Sequence, residues 1–89
     1  MYYVYLLQLN DETFYTGYST DLERRIIEHQ NGYVRSTSRK LPIKLVYYEA
    51  YANKHDATAR EKYLKTGDGR QTLKKQLHNT LHTALSSNG

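Results

Sequence analysis

The hydrophobic and polar positions of this chain change rhythm several times along its length. "YYVYLLQL", residues 2 to 9, and "TFYTGYS", 13 to 19, are rich in aromatic and aliphatic residues and are split by the polar run "NDE". That pattern predicts two antiparallel strands joined by a turn. Alternation along the strands puts Tyr3 and Tyr5 on one face and Tyr2 and Val4 on the other, with Tyr15 sharing a face with Gly17. From Leu22 the spacing widens, and Leu22, Ile26 and Ile27 mark one side of a helix expected from about Asp21 to Asn31. Thr20 and Glu23 have the spacing of a capping box at its start, and Gly32 is placed for a left-handed stop. "IKLVYYEAY", 43 to 51, reads as a third strand, and Asn53 with Asp56 opens a second helix ending near Thr66 and Gly67. The leucines at 73, 77, 81 and 85 recur every four residues and mark one apolar face of a third helix, after which "SSNG", 86 to 89, is expected to fray. The order β-β-α-β-α-α predicts a single α+β domain over residues 1–89, a small three-stranded antiparallel sheet covered by helices.

Composition narrows the chemistry. The 89 residues include no cysteine, which excludes a disulfide framework, cysteine-ligated zinc and a thiol nucleophile, and fits a reducing cytoplasm. The apolar N-terminus is far shorter than the roughly 20 residues of a membrane span and has no basic leader, so an untargeted soluble protein is expected. The net charge of +4 is unevenly spread: two arginines against Asp11, Glu12, Asp21, Glu23 and Glu28 leave −3 on residues 1 to 30, and +7 on the remainder. A lopsided basic surface is the footprint of a polyanionic partner. The loop "NGYVRSTSRKLP", 31 to 42, has no apolar period and no acid, and is expected to be exposed and closed by Pro42.

Polar residues on faces that should be buried then mark a candidate site. On the first helix Arg25 follows Leu22 by three and precedes His29 by four, which places both at the edge of the buried side, while Arg24 and Glu28 fall outward where they can pair. On the second helix Glu61 lies between the inward Ala57 and Leu64. A carboxylate there needs a cation: Arg60, Arg25 or a bound metal. Tyr5 and Tyr15 can face the same helix, while Tyr18 and Arg24 are expected at the surface. Other chemistries fit less well. "HNTLH" has i,i+4 histidines but not the glutamate and further ligand of a zincin, "TGDGRQTLKK" lacks the P-loop spacing, and "GYS" lacks the flanking pattern of a nucleophile elbow.

Four elements in order, "YVY", "YTG", "STDLERRIIEH" and "AREKYLK", resemble the GIY-YIG nuclease family, and most of all its small single-domain bacterial members. The resemblance covers about residues 2 to 77. It implies that Tyr5 is the tyrosine of the first half-motif and that Tyr15 and Gly17 belong to the second. It further implies that Arg25 is the helix arginine, that His29 holds the position four later, and that Glu61 ligates one divalent ion, Mg²⁺ or Mn²⁺. The glycine of the first half-motif is Tyr3 here. The function implied is a metal-dependent endonuclease acting on DNA, including branched or damaged DNA. Around such a site Arg35, Arg39, Lys40 and Lys44 would hold backbone phosphates without reading sequence. The modules that target larger members are absent from the sequence, which leaves open whether a protein partner supplies targeting. The alternative is a non-catalytic nucleic-acid-binding module of the same fold.

Overall fold

The computed structural model describes residues 1–86, with side chains through His82; residues 87–89, most of the "SSNG" tail, lie outside the described residues. Seven elements follow one another: β1 (Tyr2–Gln8), β2 (Phe14–Ser19), α1 (Leu22–Gln30), β3 (Lys44–Tyr51), α2 (Lys54–Leu64), α3 (Gly67–Gln76) and α4 (His78–Ser86). The strands form an antiparallel sheet in the order β2-β1-β3. Among the described residues no helix is long and apolar enough to cross a membrane.

Period-2 alternation on β1 divides the core between the two sheet faces. Val4 and Leu6 pack with Ala57, Leu64, Leu73, Leu77 and Leu81 of the later helices, while Tyr5, Leu7 and Leu9 pack against Leu22 and Ile26 of α1. Each fully buried side chain of this size contributes about 1.5–3 kcal/mol, so the central strand, apolar on both faces, anchors both layers. On β3 the pairing slips between Leu6 and Leu7, whose partners are Tyr47 and Leu45. Val46 is thus the extra residue of a bulge. Leu45 faces α1 while Tyr47, Glu49 and Tyr51 turn together toward α2.

Several local expectations are corrected. The N-cap of α1 is Asp21, whose carboxylate accepts from the Arg24 amide, and Thr20 is not the capping residue. Ser19 explains the shift: its hydroxyl accepts from the Asp21 amide and donates to the Asp21 carbonyl, turning the chain one residue later. Gly32 does adopt a left-handed conformation, with φ 77°. The leucine run is two helices rather than one. Thr66 caps α3 through the Gly69 amide, the helix ends at Leu77, and α4 restarts at His78. Gly69 permits this layout because a Cβ there would overlap the Tyr63 carbonyl and the Leu64 backbone. Its glycine serves close packing of α3 on α2.

Candidate active site at the edge strand

Gly17 is the sequence feature from which the site is built. It pairs with Tyr5 across the β1–β2 ladder, and a Cβ on it would overlap the Tyr5 ring. A glycine on the edge strand therefore lets a tyrosine from the central strand lie flat across its neighbour and project its hydroxyl toward α1. There the Tyr5 hydroxyl meets His29 Nε2 at 2.8 Å. The other ring nitrogen, His29 Nδ1, is 2.7 Å from Thr37 Oγ1. Tyr5 is 1% exposed and His29 and Thr37 are 0% exposed, so the three form a closed line of hydrogen bonds beneath the surface. His29 is thus buried well beyond the edge position that helical spacing predicts.

Tyr15 completes the aromatic wall. Its ring lies 6.4 Å from that of Tyr5 and 5.4 Å from that of His29. Unlike Tyr5 it is half-buried, and the Lys65 ammonium stands 5.8 Å from its ring centre.

Burial controls the electrostatics of the closed line. It pushes the Tyr5 phenol up to about 12; the Arg25 guanidinium beside it pulls the other way, and the nearby Tyr15 and Glu61 add to the rise. Burial and the Arg25 charge push His29 down to about 4, against a smaller opposing effect of Glu28. The imidazole is consequently neutral at physiological pH, with one N–H and one lone pair to share between Tyr5 and Thr37.

The charged members stand at the rim. Arg25 pairs with Glu28 at 3.1 Å, with 35% of its side chain exposed, so the predicted Arg24–Glu28 pair is replaced by one across i,i+3. Glu61 is 24% exposed and its cation is Lys65, four residues on at 3.3 Å, in place of the expected Arg25 or Arg60. Arg60 instead forks onto Glu49 of β3. Among the described residues no three histidines or acids converge into a metal cage. One partly exposed carboxylate is still a fitting donor for an ion such as Mg²⁺, which keeps most of its water and takes substrate oxygens for the rest.

The basic residues are less uniform than their charge suggests. Arg35, Arg39 and Lys44 are exposed, whereas Lys40 is engaged with Asp11 at 3.0 Å. The loop that carries Arg35, Arg39 and Lys40 is not simply exposed. Val34 and Thr37 are buried, the Asn10 amide bonds to the Lys40 carbonyl and the Asn10 side chain to the Leu41 carbonyl. Two further expectations fail: Ile27 is 48% exposed, and Tyr18 packs on the helical core with its hydroxyl buried. Arg24 is exposed as expected, and so are His78 and His82, whose ring centres lie 4.1 Å apart at a tilt of 41°.

Sequence reasoning missed Thr37 and Glu49. Neither carries a helical or strand period that distinguishes it from its neighbours, and each is identified only by the partner it meets.

Comparison with known proteins bears on the family and the fold. Residues 1–75 match the family model described as the GIY-YIG catalytic domain. A UPF0213 protein of Clostridium perfringens is 47% identical over 66 residues, covering 73% of this chain and 71% of the relative. One from Staphylococcus epidermidis is 40% identical over 74 residues, covering 82% and 90%. The solution structure of a UPF0213 protein from Bacillus halodurans superimposes with a TM-score of 0.59 at 33% identity, over 97% of this chain and 98% of that one.

Proposed function

The chain belongs to the GIY-YIG catalytic domain family, and from that premise we propose that it is a metal-dependent endonuclease that hydrolyses DNA phosphodiester bonds, on branched or damaged DNA, in the cytoplasm. The observation that carries the reading is the asymmetry of the cluster: a closed line of neutral groups lies underneath, and an arginine and a carboxylate remain accessible at the rim beside it. The two rim side chains are 35% and 24% exposed, within reach of a ligand.

The roles follow from what each group can do. Phosphodiester hydrolysis needs an oriented water, a proton acceptor and stabilisation of charge on the phosphate oxygens. Arg25 forks onto the phosphate, giving up its surface pair with Glu28. Glu61 is the carboxylate for one Mg²⁺ or Mn²⁺, which would supply Lewis-acid polarisation of a phosphate oxygen and a bound water. A phenol held near 12 offers almost no phenolate at neutral pH. Tyr5 therefore works as a proton relay, and its acceptor is the neutral His29, 2.8 Å away. Tyr15, more exposed, orients the attacking water and shields it with the Lys65 stem. Gly17 keeps the Tyr5 ring in register. Arg35, Arg39 and Lys44 hold flanking phosphates, with Lys40 joining them only if it leaves Asp11.

The test is nicking of supercoiled plasmid and of branched oligonucleotide DNA, with Mg²⁺ or Mn²⁺ added and then removed by chelation. Cleavage that depends on the ion and is lost in Glu61→Ala is the expected result. Folded wild-type protein that cuts none of these substrates with either ion overturns the reading. Salt-dependent DNA binding that survives without cleavage supports the binding-module alternative instead.

A further inference from the structure

Thr37 closes the buried line of hydrogen bonds, yet it lies in a loop that reads from sequence as exposed. It is fully buried, its amide donates to the Val34 carbonyl, and its Oγ1 stands 2.7 Å from His29 Nδ1. A neutral imidazole carries one N–H and one lone pair, and the bond made by one nitrogen sets the state of the other. If Nε2 is to accept from the Tyr5 hydroxyl, the ring hydrogen must sit on Nδ1, where it needs a buried acceptor. In the opposite arrangement Thr37 donates to Nδ1 and Nε2–H points at the phenol oxygen, so Tyr5 has nowhere to pass its proton.

We propose that Thr37 is a positioning residue whose hydroxyl accepts from His29 Nδ1–H and so holds the imidazole in the tautomer that turns its lone pair toward Tyr5. The catalytic consequence rests on the nuclease reading above; the hydrogen-bond assignment does not. In the step it serves, the phenol O–H bond breaks and the electron pair left on its oxygen takes up a proton from the attacking water, whose oxygen bonds to phosphorus, so that Tyr5 stays a neutral phenol and its own proton moves on. The proton forms an N–H bond at Nε2, and the resulting imidazolium keeps Nδ1–H on Thr37. The hydroxyl thus orients the ring before transfer and accepts from the charged ring after it, the role a third group plays behind a histidine base.

The experiment reads the His29 ring nitrogens by ¹⁵N NMR at neutral pH in the wild type, Thr37→Val and Thr37→Ser. Valine keeps the shape without the hydroxyl, and serine keeps the hydroxyl without the methyl. The wild type is expected to show the Nδ1–H tautomer, Thr37→Val the Nε2–H tautomer, and Thr37→Ser the wild-type pattern. In plasmid nicking, Thr37→Val should lower kcat about 100-fold with KM unchanged, the low end of what positioned acid–base groups contribute; Thr37→Ser should recover most of it. An Nε2–H tautomer in the wild type overturns the proposal, and so does Nδ1–H persisting in Thr37→Val. If Thr37→Val does not fold, the wild-type tautomer and Thr37→Ser still decide it. If no form of the protein cleaves DNA, the nuclease reading falls while the ring nitrogens still settle the part played by Thr37.

Discussion

Two polar clusters flank the sheet, and they are built on opposite plans. On the α2 side, Glu49 receives Nε and Nη2 of Arg60 at 3.0 Å each and the hydroxyls of Tyr47 and Tyr51 at 2.5 Å, with its side chain 12% exposed. Gln76 of α3 donates to the Tyr47 hydroxyl, tying in another helix. Burial works to raise the Glu49 carboxyl, but Arg60 and the two phenols outweigh it and hold it below the usual carboxylate range. Burial and the neighbouring carboxylate push Tyr51 up to about 12 and raise Tyr47 as well. Both carboxylate oxygens are saturated and the arginine is consumed. On the α1 side the neutral groups are saturated instead, while the rim charges are held more lightly: Arg25 meets Glu28 three residues on and the Tyr5 hydroxyl, and Glu61, which reaches this rim from α2, meets Lys65 four residues on. A saturated charge holds elements together. A charge left at the rim is available to a ligand.

If that contrast is right, the two arginines should separate stability from activity. The largest effect is expected from Arg25→Ala, which should lower kcat/KM for cleavage by about 10²–10³, as removal of one charge-stabilising donor does. Urea denaturation should place its stability within about 1 kcal/mol of wild type, because the lost ion pair is exposed. Arg60→Ala should do the reverse. Leaving the largely buried Glu49 with only the two phenols should cost about 2 kcal/mol in the same denaturation, below the full penalty of an uncompensated buried charge, with cleavage per folded molecule unchanged. Loss of activity without loss of stability in Arg60→Ala would erase the distinction.

Acid should dissect the clusters in sequence. His29 is held near 4 in the fold against about 6.5 when unfolded, so between these values the unfolded chain binds more protons than the folded one. Stability is therefore undiminished above about 6.5 and falls as pH drops toward 4, by up to about 3 kcal/mol. Glu49, depressed by its partners, contributes stability above the unfolded carboxylate pKa of about 4.3 that is lost only at lower pH. Melting temperatures across pH 7 to 3 should thus decline in two stages, with His29→Gln flattening the first and Glu49→Gln the second. A single decline confined below pH 4 would contradict the neutral, buried histidine. The smallest effect concerns the outer cations: Arg35→Ala and Arg39→Ala should each reduce the salt slope of DNA binding by about one, whereas Lys40→Ala, already paired with Asp11, should change it less.

Much of this was legible in advance, for a reason visible in particular residues. The strand runs, the inward Glu61 and the pairing of Arg25 with His29 on one helix side all follow from local periodicity, which a linear sequence displays directly. The GIY-YIG resemblance rested on those same spacings. Some expectations failed where a residue's fate depends on a partner distant in sequence. Glu49 and Arg60 are eleven residues apart, and a bulge at Val46 sets which face of β3 meets α2. Two misses are local: Ile27 has an inward period but is 48% exposed, and Asp21 displaced Thr20 as cap because of a turn made by Ser19.

By itself, then, the sequence determined the three strands, the first two helices, most of the faces they bury and which residues were candidates for chemistry, since period and residue type are local properties, but not the division of the leucine run into α3 and α4. The tertiary structure alone decided how those candidates are partnered: that Tyr5 crosses Gly17 to reach His29, that a threonine from the basic loop closes the line behind it, and that Arg60 is spent on Glu49 while Arg25 is not. Hydrogen bonds and ion pairs depend on distances of about 3 Å, and only the folded chain sets these between residues far apart in sequence.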